Sequence, residues 1–204
     1  MQRTALVVGA AGGVGSEVVK QLLAKGYRVI ATVLNQAEAA RVAPGVEKTL
    51  FLDLSNADSI MPALQQQSIA ALDAVVVCAA ISPYGPLEAM PLDGLRRTLE
   101  INTGSNVAIY QASMPLLRAS KGRILFISST AGRVAMPFSG HYAGSKYALE
   151  GLGDVMRREA HAFGVDVILV EPGGIKTPMV VAQIDGLDGE LAKLSPDHAA
   201  LYRG

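Results

Sequence analysis

Six short apolar runs, at residues 4–8, 28–33, 49–52, 74–77, 123–127 and 166–170, constrain the fold more than any other feature of this chain. Each is nearly continuous in Val, Ile, Leu and Ala, and each is bounded by turn residues. Strands open to water on one face alternate apolar and polar side chains; runs without that alternation suit strands covered on both faces, as in a parallel sheet. Helical segments lie between them, near 14–25, 56–70, 93–118 and 143–162. This alternation predicts an α/β fold, a doubly wound parallel sheet of Rossmann type with helices on both faces and right-handed crossovers. With 204 residues and no linker, repeat or low-complexity tract, residues 1–204 read as a single domain. Ligands of such sheets sit beyond the carboxyl ends of the strands, where the strand order switches. Chemistry is therefore expected just after the runs.

The first of these positions reads Gly9-Ala10-Ala11-Gly12-Gly13-Val14-Gly15, and a helix follows. Glycine permits a tight turn and lets backbone approach a pyrophosphate, while a helix N-terminus offers unpaired N–H groups and the positive end of its dipole. The turn reads as a dinucleotide cradle made by Gly9, Gly12, Gly13, Val14 and Gly15. The usual G-x-G-x-x-G is not met, because Val18 takes its last position. Two other spacings fit: Gly9, Gly13 and Gly15, or Gly9, Gly12 and Gly15. Where the second run ends, Ala31-Thr32-Val33-Leu34-Asn35 has neither the acid that favours NAD nor the base that favours NADP. The cofactor is NAD or NADP, with the preference open. Asp53, after the third run, is assigned either to the adenine or to the following helical turn.

After the fifth run comes Ser128-Ser129-Thr130-Ala131-Gly132, and Tyr142-Ala143-Gly144-Ser145-Lys146 opens a long helix. Residues four apart share a helix face, so the Lys146 ammonium is expected beside the Tyr142 phenol. A free tyrosine titrates near 10 and is a poor base at neutral pH. A downward shift of about three units, about 4 kcal/mol, would bring it to a working pH. A neighbouring cation and a positive nicotinamide both act in that direction.

In order and spacing, the Gly9/Gly13/Gly15 turn, Asn102, Ser129, Tyr142, Lys146 and the run from Pro172-Gly173 to Thr177 resemble the short-chain dehydrogenase/reductase family, in its compact branch, across essentially the whole chain. A YxxxK element alone is common by chance, but the 13-residue interval from Ser129 to Tyr142 and the later PGxxxT make the combination specific. The resemblance implies an NAD(P)-dependent oxidoreductase that interconverts an apolar secondary alcohol and a ketone. Tyr142 would be the general acid or base, Lys146 its electrostatic partner and a ribose ligand, and Ser129 a hydrogen-bond partner of the substrate oxygen. Asn102 would shape its helix and help hold a water. Ala79 would meet a ribose through its carbonyl, Pro172 and Gly173 would turn beneath the nicotinamide, and Ile175 and Thr177 would address the carboxamide. Met136, Phe138 and Met179 are expected to flank the substrate, with Pro83 and Tyr84 opposite. Residues 26–32 and Glu171-Pro172-Gly173 resemble members acting on steroids and retinoids.

Two other readings stand beside this one: a dinucleotide-binding regulatory protein without turnover, and a sugar-nucleotide epimerase, which the Ser129–Tyr142 interval and the length disfavour. The fourth run ends in Cys78-Ala79-Ala80 where the family often has two asparagines, and Cys78 reads as a small buried apolar residue. Family members continue for several more tens of residues, so the lid and a seventh strand are expected to be missing. The residues after Thr177 read as a polar, turn-rich tail. Lys and Arg balance Asp and Glu at 18 each without charge blocks, which argues against a nucleic-acid partner. No apolar run reaches the length of a membrane span. One cysteine fits a cytoplasmic location, and His141, His161 and His198 lack metal-ligand spacing. A homo-oligomer is expected, as a dimer through the helices at 93–118 and 143–162 rather than a tetramer.

Overall fold

A computed structural model describes residues 2–192 and 194–202. The strands are β1 (Thr4–Val8), β2 (Arg28–Val33), β3 (Lys48–Phe51), β4 (Ala74–Val77), β5 (Arg123–Ile127) and β6 (Asp166–Val170). The helices are α1 (Gly13–Ala24), α2 (Gln36–Ala39), α3 (Ile60–Gln65), α4 (Leu92–Leu99), α5 (Ser105–Ser120), α6 (Gly140–His161), α7 (Pro178–Ala192) and α8 (Pro196–Tyr202). Among the described residues the strands form one sheet in the order β3-β2-β1-β4-β5-β6, and every pairing is parallel. The doubly wound parallel sheet expected from the apolar runs is the observed fold.

Period-two geometry divides each strand between two cores. Leu6 and Val8 of β1 face a large cluster with Val75, Val77, Ile124 and Phe126, covered by α3, α5 and α6. Val7 faces the other side, with Val29 and Ala31 of β2 and Val19 of α1. All five residues of β1 are buried, which is why the run has no polar alternation. Strand order reverses between β1 and β4, so the carboxyl ends of these two strands open a crevice.

Three expectations about local structure are corrected. The helix expected over 56–70 is a short turn at Ala57–Ser59 followed by α3, ending at Gln65. The helix expected over 93–118 is interrupted by a wide π turn at Glu100–Gly104. Its loosened carbonyls are recovered by side chains one turn on: Ser105 Oγ donates to the Ile101 carbonyl and Asn106 Nδ2 to that of Asn102, at 2.6 and 2.7 Å. The tail is helical rather than turn-rich. Thr177 Oγ accepts from Val180 N at 3.3 Å and Ser195 Oγ from His198 N at 3.2 Å, each immediately before a proline, the pairing of cap and first-turn residue that starts a helix. No helix among the described residues is long and apolar enough to cross a membrane.

Candidate active site

At the β1/β4 crevice the glycines are required by contact. Gly9 has φ +79°, and a Cβ there would stand 2.7 Å from Ala79 Cβ and 2.8 Å from its amide nitrogen. A Cβ on Gly15 would meet the Gly9 carbonyl oxygen at 2.1 Å, and one on Gly13 would meet Pro178 Cδ at 2.9 Å. Gly12 caps α1 in an extended conformation without a side-chain hydrogen bond, and the first turn carries no acid. The N-terminal amides of α1 thus stay free of an intramolecular side-chain anion, the condition for receiving a phosphate.

These glycines line one wall of a cavity of about 380 Å³, large enough for a small-molecule ligand. The same cavity is lined by Val14, Asp53, Ala79, Pro172, Gly173, Ile175 and Thr177, and also by Ser129, Tyr142, Lys146 and Met179. The fold therefore brings the glycine turn and the tyrosine–lysine pair to one space. Asn102, Met136 and Phe138 do not line it.

Tyr142 and Lys146 are one turn apart on α6, as the spacing requires, and the lysine ammonium lies beside the tyrosine ring. Its Nζ lies 5.5 Å from the Tyr142 ring centroid and donates to the Ile127 carbonyl at 2.8 Å, at the end of β5. Lys146 is 2% exposed; burial draws its ammonium down to about 8, with Glu150 acting in the opposite direction. Burial also pushes the Tyr142 phenol above its ordinary value, while a hydrogen bond with Ser129 acts the other way. The downward shift expected for this phenol is therefore not produced by the protein's own groups: desolvation of the phenolate outweighs the hydrogen bond. Ser129 also caps the turn at Thr130–Gly132, accepting from Ala131 N at 3.1 Å.

Asn102 lies in the π turn, fully buried. Its Oδ1 accepts from Ile81 N at 2.9 Å, and its Nδ2 donates to the Ile81 carbonyl at 2.8 Å and to Ser145 Oγ at 3.0 Å. It clamps the chain after β4 to the helix bearing Tyr142. Asp53 accepts from Ser55 N and Ser55 Oγ at 2.9 and 2.8 Å, the backbone bond first among the causes that hold its carboxyl below the usual range. Cys78 lines the cavity with its thiol pushed up to about 12 by burial, so it stays uncharged.

On the outer side, Met136 is exposed. Phe138 has a left-handed φ of 66° and packs between Tyr84 and Tyr202, each ring centroid 5.7 Å away. Tyr202 donates to Glu88 Oε1 at 2.6 Å, so α8 returns to the same rim. Glu38 is a cavity residue that the sequence reading missed. A capping box was its signal: Asn35 Oδ1 accepts from Glu38 N at 3.0 Å while the Glu38 carboxylate accepts from Leu34 N at 2.8 Å. This short turn carries an acid back to the end of β2. Arg97 of α4, also missed, lines the cavity near Asp53.

The model of the short chain dehydrogenase family matches residues 3–187. The chain belongs to that family. It is 34% identical over 187 residues to an NADPH-dependent 3-dehydrocapnine reductase of Ornithobacterium rhinotracheale, covering 86% of this chain and 66% of that protein. It is 32% identical over 210 residues to human retinol dehydrogenase 5, covering 97% of this chain and 65% of that one. The chain thus spans just under two-thirds of the length of these relatives. Among solved structures, a short chain dehydrogenase of Burkholderia cenocepacia in complex with NADP aligns with a TM-score of 0.80 at 29% identity, over 88% of this chain and 76% of that one. Another, from Salmonella enterica serovar Typhi, aligns with a TM-score of 0.85 at 27% identity, over 91% and 82%.

Proposed function

We propose that this family member is an NAD(P)-dependent oxidoreductase that interconverts an apolar secondary alcohol and a ketone. One observation carries the reading: a single cavity is walled at one end by a turn whose Gly9, Gly13 and Gly15 leave no room for a Cβ and at the other by Ser129, Tyr142 and Lys146. The cradle fits a dinucleotide, since free amides at the start of α1 suit a pyrophosphate and Gly9, Gly13 and Gly15 leave the room that methyl groups would fill. When bound, the dinucleotide supplies or accepts the hydride. Ala79, Pro172, Gly173, Ile175 and Thr177 would hold its ribose and nicotinamide ends.

Tyr142 carries the proton. Because burial keeps the phenol protonated at neutral pH, its O–H is ready to donate to a ketone oxygen, while Ser129 positions that oxygen by a hydrogen bond. In the oxidising direction the phenolate would accept the alcohol proton, and the Lys146 charge stabilises that form. Asn102 keeps the two walls in register. Met179, at the cavity, is the apolar group best placed to meet the substrate, and Phe138 with Tyr84 and Tyr202 would form its outer rim. An NADPH-dependent reductase and retinol dehydrogenases among the relatives support the chemistry and an apolar substrate.

A homodimer through the helices at 93–118 and 143–162 belongs to the same proposal, supported by the exposed apolar side chains of Tyr147, Leu152 and Val155 on α6. The test is a panel of ketones and secondary alcohols incubated with NADH, NADPH and their oxidised forms, followed by absorbance. Turnover that vanishes in Tyr142→Phe supports the reading; cofactor binding without turnover of any member refutes it in favour of a regulatory role.

A further inference from the structure

Behind the tyrosine–lysine pair, four charged side chains of alternating sign run from the buried face of α6 to the end of β6. Lys146 is followed one helical turn on by Glu150, also buried at 5% exposure. Glu150 Oε2 accepts from Arg133 Nη2 at 3.0 Å. Arg133 in turn grips Glu171 with two bonds, Nε to Oε2 at 3.2 Å and Nη2 to Oε1 at 3.0 Å. Tyr147 adds a bond from its hydroxyl to the Arg133 carbonyl at 2.5 Å. The row joins three segments that each carry a cavity residue: the loop after β5 with Ser129, helix α6 with Tyr142, and the turn after β6 with Pro172.

A buried carboxylate needs a stronger reason than packing, because taking an ion out of water costs several kcal/mol unless it is compensated. Arg133 compensates only one oxygen; Glu150 Oε1 is buried without a hydrogen-bond partner. Its remaining role is electrostatic, and the i, i+4 spacing puts it on the same face as Lys146. Gly132 makes room for it: a Cβ there would lie 2.9 Å from Glu150 Cγ and 3.2 Å from the Lys146 carbonyl oxygen.

We propose that Glu150 is a positioning residue for the Tyr142–Lys146 pair: it is the buried counter-charge of Lys146, and through Arg133 and Glu171 it locks the Ser129 loop and the Pro172 turn to α6. The inference rests on the oxidoreductase reading only for its effect on turnover. The titratable groups facing Lys146 are Tyr142 and Glu150 on its own helix and Cys78 from the end of β4. Of these, Cys78 is held neutral and Tyr142 protonated, whereas Glu150 is ion-paired with Arg133 at 3.0 Å.

The experiment follows Lys146 itself, by NMR of the full chain grown with ¹³C,¹⁵N-lysine, its signal assigned with Lys146→Arg. Glu150→Gln removes the counter-charge and leaves Arg133 facing the lysine, so the Lys146 titration moves down by about one pH unit or more. Arg133→Met unmasks Glu150, so the titration moves up. A packing role alone does not give opposite signs. In turnover, the alkaline limb of the kcat/KM profile moves in parallel with each titration. A Lys146 titration unchanged in Glu150→Gln, or moving the same way in both variants, overturns the proposal. Where Glu150→Gln does not fold, as judged by circular dichroism, the direction in Arg133→Met decides alone. Titrations that move as stated in a protein that turns over no substrate would sink the oxidoreductase reading and leave the charge row standing.

Discussion

At the glycine end of the cleft three backbone positions are packed so closely that a methyl group has no place, with the Gly9 carbonyl 2.1 Å from where a Gly15 Cβ would stand. At the other end the deciding groups are a buried phenol and a buried ammonium, and their protonation is set by desolvation against a few opposing interactions. One end is a matter of shape, the other of charge. Shape is determined locally, by a strand, a turn and a helix in sequence. Charge depends on how many layers of protein lie above each group, which only the finished fold decides.

Substitutions that break one end and spare the other test this contrast. The largest effect is expected for Tyr142→Phe, which removes the proton donor and should lower kcat by about 10²–10⁴ while dinucleotide affinity stays near wild type. Turnover that relies on a charged Lys146 should fall as pH rises through about 8, where the ammonium loses its proton; a pH–rate profile flat across that range would remove the lysine from the account. Gly15→Ala works on the opposite end. Pushing a methyl against the Gly9 carbonyl should cost about 1–3 kcal/mol, read as a loss of dinucleotide affinity of about 10–100-fold with the tyrosine chemistry intact. Asn102→Ala takes the shared support from both walls; leaving the Ile81 amide and carbonyl unpaired should cost about 1–3 kcal/mol of stability, seen as a lower Tm. The smallest effect is expected at Glu38. Glu38→Gln removes an acid from the end of β2 and should shift preference toward NADP by less than about tenfold, measured as the ratio of kcat/KM with the two cofactors.

The same contrast explains what was legible beforehand. Five of the six runs coincide with strands to the residue, because Val, Ile and Leu buried on both faces of a parallel sheet leave little freedom in where a strand begins. The glycine turn, the Ser129–Tyr142 interval and the α6 pairing were equally readable, since each depends on neighbours in sequence or on a fixed crossover. The π turn at Asn102 was not, because it is held by a hydrogen bond from Ile81 and another that Asn102 donates to Ser145, 21 and 43 residues away. Nor was the raised phenol of Tyr142, which the YxxxK spacing alone argued downward. Glu38 was overlooked because the acid was sought on the strand itself, whereas a capping box returns it from the next turn. The helical tail was readable in principle from Thr177-Pro178 and Ser195-Pro196, two cap-and-proline pairs masked by the polar composition around them.

The central claim is that the glycine cradle and the tyrosine–lysine pair are two ends of one working site. It is tested most directly by titrating NADPH and NADH into the wild type and Tyr142→Phe, with turnover of an accepted ketone measured on the same samples. The account predicts dinucleotide binding of wild-type strength in Tyr142→Phe together with loss of turnover. A variant that binds and reduces the ketone as the wild type does would contradict it.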